Sequence, residues 1–401
     1  MMAARGGSKP AIERLHIRNY RVLRDVTFEK LTPLTVLFGP NGSGKSTVFD
    51  VFAFLHEAFT TNLRRAWDAR NRMAEIRSRG MDGPVEFELK YRDPASGRLI
   101  TYQLAIDEDS GSPTVVGELL RWTVNPGQGR PTEILNFSRG EGAVYDEQVA
   151  AKVSERLDSP DLLAVSSLGQ LSRYPQVAAL RRFITGWYLS YLNIDQVRQQ
   201  PMSGPQEKLS VIGDNLANVI QYLGERHPER LETIFEVLGQ RVPSLERVDP
   251  EQMPDGRLLL RLKDRPFDKP VLAQFISDGT LKLLAYLTVL YDPDPAPIVG
   301  IEEPENQLHP KLLYSLAEEA RAAAGRSQML VTTHSPYFAD ALRPEELWAL
   351  YRADDGFTRS VRASGIQPLV AMADAGGTLG SLWMEGYFDV ADPLTRSGRP
   401  A

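Results

Sequence analysis

The chain contains no cysteine. That absence removes disulfides, thiolate nucleophiles and cysteine-based metal sites together, and it fits a reducing compartment. Long apolar runs are also missing. No stretch approaches the roughly 18 uninterrupted apolar residues of a membrane span, and the opening MMAARGGSKP lacks the apolar core of a secretory signal. A soluble, cytoplasmic protein with no membrane partner is the expectation. Internal repeats and low-complexity tracts are absent, and no heptad pattern is sustained long enough for a paired coiled coil. Excess positive charge is lacking too: 46 basic against 52 acidic residues leave a net charge of -6. The molecule as a whole therefore repels nucleic acid, and any contact with DNA or RNA needs a local patch. One stretch qualifies. Arg64, Arg65, Arg70, Arg72, Arg77 and Arg79 stand against only Asp68 and Glu75, which reads either as a solvated helix face or as a phosphate-contacting surface.

What is present is enough apolar residue for one large core or two modest ones: 42% of 401 residues. The opening alternates like β-structure and leads through the apolar run Leu34 to Phe38 into glycines. A helix then runs from about Lys45 past Phe59, with Val48, Phe52, Leu55 and Phe59 spaced for one buried face. From Pro84 to about Tyr145 short strands such as VEFELKY and LITYQLAI predict antiparallel hairpins. Residues from about Glu147 to Val242 read as mostly helical, with Leu171, Val177, Leu180 and Ile184 on one apolar face and Leu216, Val219, Ile220 and Leu223 on another. A strand follows at Leu258 to Lys263, a helix from about Thr280, and strands at Ile298 to Ile301 and Met329 to Thr332. A helix between those strands starts at Pro310 and stops at Gly325. The tail TRSGRPA reads as frayed. Three segments result: residues 1–145 and 258–401 as the halves of a nucleotide-binding lobe, and residues 146–257 as a helical lobe.

GPNGSGKST, Gly39 to Thr47, satisfies G-x-x-x-x-G-K-[ST] directly after an apolar strand and at the start of a helix. Gly42 and Gly44 let backbone N–H groups converge on a phosphate at a positive helix end. Gly39, Asn41 and Ser43 complete the loop, Lys45 supplies a point charge across the β- and γ-phosphates, and the Ser46 hydroxyl is placed to ligate Mg²⁺. Thr47 supports the α-phosphate. The implied ligands are ATP and Mg²⁺. A second apolar strand ends in PIVGIEEPENQLHP, where Glu302 stands as a magnesium-shell carboxylate and Glu303 as the base that orients the attacking water. A third ends in THSP, which puts His334 at the same cleft as a γ-phosphate sensor. Ser277 or Asp278 can cap the helix that follows, and Gly279 lets its backbone approach an anion.

GPNGSGKST, FISDGTLKLLAYL, GIEEPENQLHP and VTTHSP, in that order, resemble the ATPase domain of the OLD-type nucleases and the wider SMC/RecF branch of ABC ATPases. The resemblance implies an α/β fold, a P-loop NTPase of the ABC-ATPase head type, with a central mostly parallel sheet, an antiparallel β subdomain and a helical lobe. It implies that Ser277, Asp278 and Gly279 form a signature segment that binds ATP held by a second copy, in a head-to-tail homodimer enclosing two nucleotides. Glu305 and Asn306 then lie in the loop that crosses between subunits, and the RNY segment, Arg18 to Tyr20, near the base or neighbouring phosphates. His309 reads as packing. The chain departs from the pattern in having Glu302-Glu303 where Asp-Glu is usual, in SDGT where transporters have LSGGQ, and in offering only Gln196, Gln199 and Gln200 for a Q-loop. OLD-type nucleases continue into a Toprim domain; here Asp354-Asp355 reads as a hairpin turn, and no nuclease centre is visible. The function implied is an ATP-driven dimerising switch, acting on nucleic acid or controlling a separately encoded effector nuclease, as in DNA repair or anti-phage defence. A transporter ATPase subunit is the alternative, disfavoured by the long separation of Lys45 from Glu303. A small-molecule kinase or GTPase is disfavoured by the strand-borne histidine and by the absence of Asn-Lys-x-Asp.

Overall fold

β1 (Ala11–Tyr20) and β2 (Leu23–Glu29) form an antiparallel hairpin, and β3 (Leu34–Phe38), buried along its whole length, runs into the glycine loop. The computed structural model describes residues 11–93, 96–123, 131–242, 244–267 and 269–390; the opening ten residues and the tail TRSGRPA lie outside them. The hairpins predicted between Pro84 and Tyr145 are β4 (Val85–Arg92), β5 (Leu99–Asp109), β6 (Ser112–Thr123), β7 (Thr132–Ser138) and β8 (Glu141–Asp146). With β9 (Ala151–Arg156) they extend the first hairpin into an eight-stranded antiparallel sheet ordered β2-β1-β4-β5-β6-β7-β8-β9.

The second sheet is built from chain ends far apart in sequence: β10 (Tyr188–Ser190), β14 (Ile298–Glu302), β15 (Gln328–Thr333), β3, β16 (Leu347–Arg352) and β17 (Thr358–Arg362), in that spatial order. All its pairings are parallel except β16 with β17. A parallel sheet needs cover on both faces, so its strands read as unbroken apolar runs. Leu37, Leu330, Ile298 and Trp348 enter one core, while Val36, Val331, Val299 and Ala349 enter the other. A third small sheet joins β11 (Leu245–Gln252), β12 (Leu258–Asp264) and β13 (Val271–Leu272).

The helix after the glycine loop, Lys45–Thr60, buries the four predicted residues and also Phe49, Val51, Phe54 and Ala58. It is wedged between sheets: Phe54 meets Phe87 of β4 at 5.6 Å between ring centroids, Phe59 meets Tyr102 of β5 at 5.8 Å, and the helix also packs on β14 and β15. The second core holds the helices Leu216–Arg226, Asp278–Leu290 and Pro310–Ala323.

The segment read as mostly helical also holds strands in the structure. It contains β9 and β10, and it divides between the two cores, since helix Pro175–Thr185 joins the first and helix Leu216–Arg226 the second. β9 is a polar edge strand and β10 has three residues, too little of either for alternation to register. Leu171, placed on an apolar face by its spacing, is 42% exposed in a turn, whereas Val177, Leu180 and Ile184 are buried.

Candidate functional site

Register brings the motifs together. Phe38, the last residue of β3, pairs with Thr333, the last of β15, and Glu302, the last of β14, pairs with Thr332. The glycine loop, the Glu302-Glu303 turn and His334 therefore leave adjacent parallel strands at one edge, where open α/β sheets bind ligands.

The loop is tightly built. Gly44 has φ +103°, and a Cβ there would sit 2.3 Å from Thr358 Oγ1 of β17; only glycine fits both demands. Lys45 is 4% exposed, and its Nζ donates to the carbonyl oxygens of Gly39 (2.8 Å) and Pro40 (3.0 Å). Burial drives its pKa down; the charges of Glu303, Glu305 and Glu302, in that order, hold it up. The lysine thus lies within electrostatic reach of all three carboxylates.

The Glu302 carboxylate faces the Ser46 hydroxyl, which lowers its pKa, but burial first and then Glu303 and Asp50 raise it overall. A hydroxyl and a carboxylate facing each other, the latter short of positive charge, fit Mg²⁺, which takes one or two protein oxygens and completes its shell with phosphate and water. Glu303 has φ +43°, a left-handed conformation that a side chain adopts at a cost and that its surroundings must hold. Its N–H donates to the Thr332 carbonyl oxygen at 2.9 Å, and Asn306 Nδ2 donates to its Oε2 at 3.2 Å.

Glu305, which the resemblance places in the loop between subunits, makes its contacts within the chain. Its side chain is 8% exposed and turned inward: Oε1 accepts from Thr333 Oγ1 (2.9 Å) and from the His334 N–H (2.7 Å) and lies 3.1 Å from His334 Nδ1. The residue ties the carboxylate turn to the histidine loop, a role that the spacing alone left invisible. Asn306 is exposed, and exposed His309 caps helix Pro310–Ala323 by accepting from the Lys311 N–H rather than packing. Ser277 is the N-cap of helix Asp278–Leu290, accepting from the Thr280 N–H. Asp278 pairs with Arg198, which also donates to the carbonyl oxygens of Ala273 and Ile276.

Two sequence expectations fall on structural residues. Asn19 and Tyr20 of RNY are buried: Asn19 Nδ2 binds the carbonyls of Asp82, Gly83 and Pro84, and the Tyr20 hydroxyl donates to Asp50 Oδ2 at 2.6 Å. In the arginine stretch five of the six meet carboxylates: Arg64 with Asp161, Arg65 with Glu57, Arg70 with Asp50 and Glu57, Arg72 with Asp68 and Arg77 with Asp107. Apart from Asp68, those partners lie outside the stretch, up to 97 positions away, so local charge counting missed them. Tyr191, just beyond β10, is a further site residue: its ring meets Phe49 edge-on at 5.4 Å, and after burial Glu302 and Asp50 are what raise its pKa. A cavity of about 680 Å³ opens nearby, walled by Arg21, Val22, Arg70, Asn71 and Phe357. It is joined to the loop where Thr358 donates its N–H to the Val22 carbonyl (2.9 Å) and its hydroxyl to the Ser43 carbonyl (2.9 Å).

Residues 34–340, from the strand before the glycine loop to just past His334, match the profile of the family described as "AAA domain, putative AbiEii toxin, Type IV TA system". The chain belongs to this family. No curated protein sequence matches it. Among solved structures this AAA-domain chain is similar to an SMC head bound to the C-winged helix domain of ScpA, with 14% identity and TM-score 0.51, covering 87% of this chain and 96% of that one. It is also similar to the Smc head domain with an extended coiled coil bound to the C-terminal domain of ScpA derived from Pyrococcus furiosus, with 14% identity and TM-score 0.52, covering 91% of this chain and 100% of that one. The fold is that of an SMC head ATPase domain, α/β with large sheets, as the motif order implies. Among the described residues no helix is long and apolar enough to cross a membrane.

Proposed function

We propose that this AAA-domain protein binds ATP with Mg²⁺, hydrolyses it to ADP and phosphate, and works as a switch that closes on a second copy of itself. The observation that carries this is the shared sheet edge, where Lys45 lies under the charge of Glu303, Glu305 and Glu302 while His334 leaves the strand between them. Gly39, Asn41, Gly42, Ser43, Gly44, Lys45, Ser46 and Thr47 would wrap the phosphates at the helix N-terminus, and the cavity beside Val22 and Phe357 offers room for base and ribose. Ser46 and Glu302 would hold the Mg²⁺ ion, which when bound neutralises phosphate charge. Glu303 orients the attacking water and takes its proton, and His334 addresses the γ-phosphate.

Ser277, Asp278 and Gly279 stand at the start of a 13-residue helix, with Ser277 and Asp278 exposed. In the dimer they would reach the ATP of the second copy. The setting we infer is control of a separate partner, a nuclease effector or nucleic acid, in anti-phage defence or DNA repair. The family's toxin–antitoxin description, the resemblance to OLD-type ATPase domains, and SMC heads that bind ScpA all support it. The arginine stretch adds little support for nucleic acid, because its guanidiniums are largely engaged within the chain.

Glu303→Gln tests the reading. It should retain ATP, lose turnover by about a hundredfold or more, and accumulate as a dimer in light scattering when ATP is present. Turnover equal to the parent would remove Glu303 as the base. An unchanged monomer fraction would remove the dimerising switch.

A further inference from the structure

Lys282 lies in the second turn of helix Asp278–Leu290, the helix that opens with the signature segment, and it is 5% exposed. Its Nζ donates to the main-chain carbonyl of Asn306 at 2.7 Å and sits 5.7 Å from the ring centroid of Tyr286. Burial pushes its pKa down, and the charges of Glu305 and Glu303 support it. A buried ammonium is expensive to maintain, and leucine or methionine would fill the same volume at less cost. A lysine at this position therefore calls for a use of its charge.

Asn306, whose carbonyl Lys282 holds, donates its side-chain amide to Glu303 Oε2 at 3.2 Å, and its backbone N–H donates to the Glu303 carbonyl oxygen at 3.2 Å. The turn from Glu303 to Asn306 thus has two strained or exposed features to keep in place: a left-handed carboxylate residue and a solvent-facing amide. The same helix approaches the turn a second time. A Cβ on Gly279 would lie 3.0 Å from the Gln307 carbonyl oxygen, and Gln307 itself has φ +67°.

We infer that Lys282 is a positioning residue for hydrolysis: by anchoring the Asn306 carbonyl it holds the amide that fixes the orientation of the Glu303 carboxylate. It acts through Asn306 and touches no substrate. The inference rests on Glu303 being the base, as proposed above. It also places the segment that would contact the second copy's nucleotide and the anchor of the chain's own base on one helix, two turns apart or less, so a shift of that helix moves the base.

The test compares Lys282→Met, which keeps length and removes charge, with Lys282→Arg and Asn306→Ala in steady-state ATP hydrolysis by the full chain. Lys282→Met should lower kcat about tenfold and leave KM for ATP within about twofold, and the arginine variant should recover part of the loss. Lys282→Met combined with Asn306→Ala should be no slower than the slower single variant, because both act on one carboxylate. An unchanged kcat, a loss confined to KM, or losses that multiply would overturn the inference. If Lys282→Met does not fold, Asn306→Ala, at an exposed position, carries the same kcat-against-KM comparison. Hydrogen exchange without nucleotide separates the two readings: faster exchange in the segment 303–309 of Lys282→Met supports the anchor even if the parent proves not to hydrolyse ATP, and unchanged exchange refutes it.

Discussion

The hydroxyl of Thr358 donates a 2.9 Å hydrogen bond to the carbonyl oxygen of Ser43, 315 positions earlier in the chain. The last strand of the parallel sheet therefore braces the phosphate loop, and Gly44 exists without a side chain partly because Thr358 fills that space. Thr358→Val should cost about 1 kcal/mol of stability through the lost hydrogen bond and weaken nucleotide binding. Gly44→Ala should cost more, since it adds a clash and a left-handed φ. Combining Gly44→Ala with Thr358→Ala should relieve the clash but not the backbone strain. Urea unfolding of the three variants measures each part; equal losses with and without Thr358→Ala would show that the contact is unimportant.

Lys45→Ala should weaken ATP binding by about a hundredfold, the order expected when a charge-assisted contact to phosphate is lost. Titration calorimetry, with circular dichroism as the folding control, reports it directly. Tight ATP binding by a folded Lys45→Ala protein would contradict the phosphate-loop assignment.

Arg70 behaves as a buried brace. Its side chain is 9% exposed and reaches Asp50 at 2.9 Å and Glu57 at 2.8 Å, both on the helix that begins at Lys45. Arg70→Ala takes the most buried cation from two partly buried carboxylates, leaving Asp50 with Arg21 and Glu57 with the distant Arg65, and should lower the unfolding free energy by about 3 kcal/mol. Arg72→Ala, where an exposed pair with Asp68 is lost, should change stability by less than about 0.5 kcal/mol. A larger loss from Arg72 than from Arg70 would return the stretch to a surface reading.

Glu118 of β6 is fully buried and accepts from the N–H groups of Ala164 and Val165 and from the Tyr102 hydroxyl. Burial outweighs those donors and raises its pKa to about 7. An acid whose folded pKa exceeds its unfolded one binds its proton more tightly when folded. Its contribution to stability is therefore complete below about pH 4.5 and lost as pH rises through about 7. Glu118→Gln should flatten that part of the stability profile, measured by urea unfolding between pH 5 and pH 8; an unchanged slope would assign it to other groups.

Much of the site was legible from residue type and order. An apolar strand followed by GPNGSGKST, an apolar strand ending in Glu302-Glu303, and one ending in His334 each carry a local signal, and local signals survive in a one-dimensional reading. The six-arginine stretch left two readings open for the opposite reason: a side chain's partner can come from anywhere in the chain, and Asp107 came from the antiparallel sheet and Asp161 from the turn that follows it. Glu305 was placed only by resemblance, in a loop that crosses between subunits, and nothing local in the sequence shows that its carboxylate is drawn inward by the Thr333 hydroxyl and the His334 N–H.

Taken alone, the sequence determined which residues are candidates for the proposed chemistry, because strand-loop-helix punctuation and the need for glycine, lysine, serine and paired carboxylates are local requirements. Only the tertiary structure decided how they are held. The pairing of β3 with β15, the brace from Thr358 to Ser43, the inward turn of Glu305 and the anchor from Lys282 to Asn306 all join residues remote in sequence, and hydrogen-bond partnership is set by distance in space.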